Sequence, residues 1–69
     1  MRQVSSKQLA AMLERRGWRL LRTKGNHPIY GMLGRVERIS VPVHGNQPLE
    51  IGILRHLLNI AWLNESELD

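Results

Sequence analysis

The stretch RTKGNHPIY, residues 22–30, decides the fold, because it has a turn signal in its middle and a histidine directly after the turn. Gly25-Asn26 is typical of two-residue β-hairpin turns, whose central positions favour residues that tolerate positive φ. A hairpin with this turn places Lys24 directly opposite His27, with Cβ atoms about 4.5–5.5 Å apart. We therefore predict a hairpin that holds an imidazole beside a fixed positive charge.

This pairing points to a particular chemistry. A neighbouring cation disfavours the protonated form of an imidazole. A neutral histidine can remove a proton while a lysine stabilises the charge that develops on a phosphate-bearing substrate. His27 is thus a candidate general base beside Lys24, although a histidine after a turn is more often an ordinary surface residue.

Length and composition limit the possible classes of protein. The chain has 69 residues and no cysteine, which predicts one small domain (1–69) without disulfides or a thiolate metal site. No apolar run approaches the roughly 20 residues of a transmembrane helix, and the first residues lack the apolar core of a signal peptide. We expect a cytoplasmic protein.

The charge distribution is uneven along the chain. The net charge is +4, and the residues between Glu14 and Glu37 include six cations and no carboxylate. These cations are Arg15, Arg16, Arg19, Arg22, Lys24 and Arg35. A basic segment around a turn is typical of a protein that binds nucleic acid, although a solvated basic face is the alternative. The C-terminal tail, about residues 64–69, is acidic.

Hydrophobic periodicity predicts two helices. Ser5 or Ser6 can cap a helix that runs to about Arg16 and stops at Gly17. Its apolar positions Leu9, Met12 and Leu13 share one face. A second helix, Ile51 to Ala61, carries Ile53, Leu54, Leu57, Leu58 and Ala61 at helical spacing.

Between the helices the sequence predicts three strands: Trp18 to Lys24, Pro28 to Met32 and Val36 to Val43. Tight turns join them into an antiparallel meander. The result is an α+β fold of order α-β-β-β-α, with a three-stranded antiparallel sheet and two helices on one face. A double-stranded RNA-binding domain has the same order, but order alone does not fix function.

Strand pairing places the candidate residues on faces of the sheet. If the strands pair regularly from Lys24 opposite His27, the face of His27 also carries Trp18, Leu20, Arg22 and Ile29. Centring the second hairpin on Gly34 pairs Ile29 with Ile39 and His27 with Val41. The other face would carry Arg19, Leu21, Thr23, Tyr30, Met32, Arg38 and Ser40.

His44 is the second candidate histidine. It lies three residues past Val41, roughly 10 Å away at about 3.3 Å per residue. His44 could be the acid of a base-acid pair, or could simply form part of its loop. The sequence contains neither CxxC nor HExxH, and its carboxylates are scattered. We therefore predict no metal site and no cofactor. His56 is expected to face solvent.

Four short pieces of this sequence resemble the HicA toxins of bacterial toxin-antitoxin systems, also called the YcfA/HicA-like family. They are Gly17-Trp18 after the first helix, residues 22–27, Val41-Pro42-Val43-His44, and residues 51–55. The chain departs from the family at Pro28, where many members carry a second histidine or polar residue. Asn26 replaces the common serine.

The resemblance implies a fold like that of a double-stranded RNA-binding domain. It also implies a ribosome-independent messenger-RNA endonuclease with His27 catalytic, and a HicB antitoxin that blocks the active site.

Our leading hypothesis is a metal-independent endoribonuclease, an mRNA interferase, because the RNA 2′-hydroxyl is an internal nucleophile once a base removes its proton. His27 would be the base, Lys24 and Arg22 the phosphate-binding cations, and Gly25-Asn26 the turn that presents them. His44 would be a possible second participant in RNA binding. The alternatives are a noncatalytic RNA-binding module and, with less support, a protein-interaction subunit.

Overall fold

A computed structural model describes residues 3–43 and 46–68. Its elements in chain order are α1 (Ser6–Arg15), β1 (Arg19–Lys24), β2 (His27–Gly31), β3 (Ile39–Ser40) and α2 (Ile51–Ala61), followed by a 3₁₀ turn (Glu65–Leu68). The three strands form one antiparallel sheet in the order β1-β2-β3. The predicted α+β fold of order α-β-β-β-α is therefore confirmed.

Helix α1 begins and ends where its sequence predicts. The Ser5 hydroxyl accepts from the Gln8 amide at 3.2 Å, and the Gln8 side chain accepts from the Ser5 amide at 2.9 Å. This reciprocal capping box satisfies amide groups that have no partner within the helix. Gly17, with φ of 96°, follows the helix, because glycine adopts this conformation without a steric penalty.

The first hairpin has the predicted pairing at its tip and a different pairing at its base. Lys24 lies opposite His27 and Arg22 opposite Ile29, but the register then shifts, so that Leu20 pairs with Tyr30. Leu21 is the extra residue of a β-bulge. The prediction that Leu20 shares the face of His27, with Leu21 on the other face, is wrong because a uniform register cannot anticipate a bulge.

The second hairpin differs from the prediction by one residue. Ile29 pairs with Ser40, and Tyr30 with Ile39, so Tyr30 rather than Ile29 lies on the face of Ile39. Burial explains the shift: Tyr30 is 4% exposed, and Ile39 and Val41 are fully buried. Ser40 consequently moves to the face of His27.

Strand β3 is shorter than the predicted Val36 to Val43. The carbonyl oxygens of Arg35, Val36 and Glu37 accept hydrogen bonds from the Arg38 guanidinium at 3.0 to 3.2 Å. The backbone before Ile39 therefore forms a loop around a side chain.

Both helices pack against one face of the sheet, and the core lies between them. Helix α2 buries Leu54, Leu57, Leu58 and Ala61, but Ile53, predicted to share this stripe, is 41% exposed. The core comprises Val4, Leu9, Met12, Leu13, Trp18, Tyr30, Ile39, Val41, Leu49, Leu54, Leu57, Leu58 and Ala61. The opposite sheet face remains uncovered by the described residues.

The acidic tail returns to the helices. Glu67 forms an ion pair with Arg16 after α1, and Glu65 pairs with Arg55 of α2 at 2.9 Å. Two cations on the helix side of the molecule are therefore neutralised locally. Among the described residues, no helix has the length and apolar character needed to cross a bilayer.

Candidate nucleic-acid interface

The uncovered side of the sheet, here called the open face, carries the candidate histidine. His27, Ile29 and Gly31 alternate along β2 and therefore point to the same side. Their partners on β1 are Lys24, Arg22 and Arg19, respectively. Directly opposed residues share a face, so the open face presents His27 with three cations along β1. Ser40, opposite Ile29, borders it on β3.

The hairpin turn that presents His27 depends on one glycine. Gly25 has a φ of 61°. In the described parts of the chain Trp62 is the one non-glycine residue with a positive φ, so the φ of Asn26 is not positive. Positive φ at the first central position alone is typical of a type II′ turn. The predicted turn is therefore present, and Gly25 rather than Asn26 adopts the conformation that favours glycine.

His27 is exposed at the first position of β2. Its opposition to Lys24 confirms the predicted pairing. Pro28 follows at once and has a fixed φ. The Pro28 carbonyl accepts from the Val41 amide at 3.0 Å, which ties the chain beside His27 to the segment after β3. The imidazole is thus open to solvent on a well-supported backbone.

The bulge at Leu21 determines which cations the open face contains. Positions 19, 22 and 24 do not follow the two-residue period of a strand, so a regular β1 would place Arg19 on the side opposite to Arg22 and Lys24. The extra residue reverses the alternation, and Arg19 pairs with Gly31 on the open face. Sequence analysis assigned Arg19 to the other face, and that assignment is wrong for this reason.

Not all of the basic segment belongs to this surface. The ion pairs within residues 3–43 and 46–68 engage Arg16, Arg35 and Arg55. The Arg35 side chain is only 9% exposed, and its guanidinium donates a hydrogen bond to the Ile60 carbonyl oxygen at 2.7 Å. None of these pairs involves a cation of the open face. Of the six cations that the sequence groups together, Arg16 and Arg35 are paired with carboxylates, and Arg19, Arg22 and Lys24 lie on the open face.

Other candidates from the sequence lie elsewhere. His44 falls outside the described residues. His56 is exposed on α2, as predicted. Trp18 is buried in the core with Tyr30, so the prediction that it lies on the face of His27 is wrong. Burial, followed by the charge of Glu14, raises the pKa of the Tyr30 hydroxyl. Within the described residues, no three histidine or carboxylate side chains cluster as metal ligands would.

The geometry defines a class of protein. It is a small α+β domain that carries an exposed histidine and a row of cations on an uncovered sheet face. The family model described as the HicA toxin of bacterial toxin-antitoxin systems matches residues 6–63. The chain therefore belongs to the HicA toxin family, and its family implies an antitoxin partner. Comparison with curated proteins gives no significant match.

Proposed function

We propose that this HicA-family protein is a metal-independent endoribonuclease that cleaves messenger RNA in the cytoplasm. The observation that carries the proposal is the exposed His27 opposite Lys24 at the tip of the first hairpin. A base needs access to the proton that it removes, and a nearby cation stabilises the negative charge on the phosphate. The exposure of His27 and its opposition to Lys24 support these two roles.

The proposed reaction uses the RNA as its own nucleophile. His27 removes the proton of a 2′-hydroxyl, and that oxygen attacks the adjacent phosphorus. The bond from phosphorus to the 5′-oxygen breaks, and the leaving oxygen takes a proton from water. The products are a 2′,3′-cyclic phosphate and a 5′-hydroxyl. Lys24 and Arg22 bind the phosphate oxygens, while Gly25 and Asn26 form the turn that holds the tip.

The proposal predicts that His27→Ala abolishes RNA cleavage. Loss of a general base lowers rates by about 10²–10⁴-fold, whereas an exposed substitution changes stability by no more than about 0.5 kcal/mol. Cleavage of a long transcript in EDTA and growth arrest on induction measure the effect. His56→Ala, which replaces an exposed histidine on α2, is the matched control and should cleave normally. Full activity of His27→Ala would remove His27 from the mechanism.

The same assay separates the enzyme from a noncatalytic RNA-binding module. Discrete cuts in EDTA support the nuclease, and a salt-sensitive mobility shift without cuts supports the binding module. A HicB-like antitoxin is the proposed partner. The cations of the open face offer it an electrostatic target, and an antitoxin bound there would prevent RNA from reaching His27.

A further inference from the structure

A groove lies at the other end of the open face from the hairpin tip. It has a volume of about 350 Å³, and its lining includes Arg19, Leu21, Gly31 and Arg38. Gly31 is four residues from His27 along β2, or roughly 13 Å at about 3.3 Å per residue. The groove and the histidine therefore belong to one continuous surface.

Gly31 is necessary for the shape of this groove. A Cβ atom built at Gly31 would lie 2.6 Å from Leu21 Cδ1 and 3.3 Å from two atoms of Arg38. Leu21 and Arg38 therefore lie directly over the glycine on the open face. The bulge brings Leu21 to this position, where its side chain remains 53% exposed. The floor of the groove is thus apolar and still accessible.

The guanidinium of Arg38 is held in place at the groove. Its Nη1 donates to the carbonyl oxygens of Arg35 at 3.1 Å, Val36 at 3.2 Å and Glu37 at 3.0 Å. A guanidinium plane fixed in this way is a surface on which an unpaired RNA base can stack. Arg19, directly opposite Gly31, supplies a second positive charge for the phosphate that accompanies such a base.

We propose that this groove is a subsite for one unpaired nucleotide of the RNA strand whose phosphate is held at His27. The base lies on Leu21 and stacks against the Arg38 guanidinium, and Arg19 binds the adjoining phosphate. The inference rests on the proposed function for the identity of the ligand. Charge complementarity and continuity with the surface of His27 favour RNA as the occupant. Because a duplex buries its base faces, the subsite selects single-stranded RNA.

The test compares binding of two ligands that differ only in their bases. One is a fluorescein-labelled RNA hexanucleotide, and the other is an abasic ribose-phosphate chain of the same length. Affinities are measured by fluorescence anisotropy at fixed ionic strength, with His27→Ala protein so that cleavage does not interfere. We expect the RNA to bind at least about fivefold more tightly, the lower end of what base stacking contributes.

Two neighbouring leucines provide the variant and its control. Leu20 and Leu21 are 51% and 53% exposed, but Leu20 pairs with Tyr30 on the core side of the sheet. Leu21→Ser should reduce the ratio of the two affinities to below about twofold, and Leu20→Ser should leave it unchanged. Thermal midpoints of both variants show whether the fold is intact.

Several results would overturn the subsite. They are a ratio near one in the parent protein, equal ratios in the two leucine variants, and failure of both ligands to bind. Cleavage by the unmodified protein is assayed separately. Base-dependent binding that requires Leu21, combined with no cleavage, would remove the proposed nuclease and leave the subsite standing.

Discussion

Arg35 shows at the scale of one residue why a sequence count of charges misleads. Its guanidinium carbon lies 4.9 Å from the ring centre of Trp18 and 3.9 Å from that of Trp62. The same group donates to the Ile60 carbonyl at 2.7 Å and pairs with Glu37 at 3.2 Å. Because Ile60 lies in the last turn of α2, where carbonyls lack helical partners, Arg35 connects the β2-β3 loop to the end of that helix.

We expect Arg35→Ala to destabilise the protein by roughly 2–4 kcal/mol. Cation-π contacts contribute about 0.5–2 kcal/mol each, and a charged hydrogen bond about 1.5–3 kcal/mol. Urea denaturation followed by circular dichroism measures the loss. Arg22→Ala, which removes an exposed arginine from β1, should change the free energy of unfolding by less than about 0.5 kcal/mol. Equal losses for both variants would show that Arg35 is not a structural residue.

The residues that sequence analysis places correctly depend on local signals. Lys24 opposes His27 because the turn between them is two residues long. Arg35 could not be assigned in the same way, since its environment combines Trp18, Trp62 and the end of α2. Such a contact follows from the tertiary arrangement, and a count of basic residues contains no information on it.

At the scale of elements, helix limits follow from sequence more closely than strand pairing does. The predicted second helix, Ile51 to Ala61, has those limits in the structure. The sheet register was not predictable, because a bulge or a one-residue shift leaves the local sequence equally acceptable and only burial decides between them. For the candidate site this matters most at Arg19, which reaches the open face through the bulge at Leu21.

The start of α2 has a cap that sequence analysis did not identify. The Glu50 carboxylate accepts from the amides of Gly52 and Ile53, each at 2.9 Å. A Cβ at Gly52 would lie 3.0 Å from a carboxylate oxygen, so glycine leaves room for the folded-back side chain. The bonds from Gly52 and Ile53 lower the pKa of Glu50.

This cap predicts a stability loss in acid. Because the folded-state pKa of Glu50 is lowered, its contribution is present above the unfolded value, near 4.5, and is lost as pH falls through the folded value. Thermal midpoints between pH 7 and pH 3 measure the change. Glu50→Ser retains a capping oxygen without a titrating group, so it should lose less stability over this range.

Glu50→Ala provides the comparison at neutral pH. It removes both the charge and the acceptor, and should already have a lower midpoint at pH 7. A Glu50→Ser variant whose midpoint falls in acid as steeply as that of the unmodified protein would contradict the role of the Glu50 carboxylate. The thermal midpoint of Glu50→Ser should still fall somewhat in acid, because the pKa of Glu37 is lowered as well. A hydrogen bond from its own backbone lowers that pKa most, and Arg35 adds to the effect.

At the scale of the whole molecule, charge is divided between two sides. The helix side pairs Arg16 and Arg55 with the acidic residues of the 3₁₀ turn. The open face presents Arg19, Arg22 and Lys24 along β1, with His27 opposite Lys24. A polyanion is therefore attracted to the side that exposes the histidine. The bulge contributes by placing Arg19 on the open face, and the acidic tail contributes by pairing with the arginines of the helix side.

This division predicts the salt dependence of RNA binding. Each phosphate contact to a single strand contributes about −0.7 to the slope of log K against log salt concentration. The three cations of β1 on the open face, which are the proposed phosphate contacts, should therefore give a slope near −2 for His27→Ala protein. Arg22→Gln should reduce its magnitude by about 0.7, because that guanidinium no longer displaces a counterion. Anisotropy titrations at several salt concentrations measure the slope.

Arg55→Gln is the matched control, since it removes an arginine that is paired with Glu65 on the helix side. It lowers the net charge by the same amount, but it should leave the slope unchanged, because counterion release depends on contacts with phosphate rather than on total charge. Equal reductions in the two variants would mean that RNA does not prefer the open face. Access of a ribose hydroxyl to His27 would then lack its electrostatic basis.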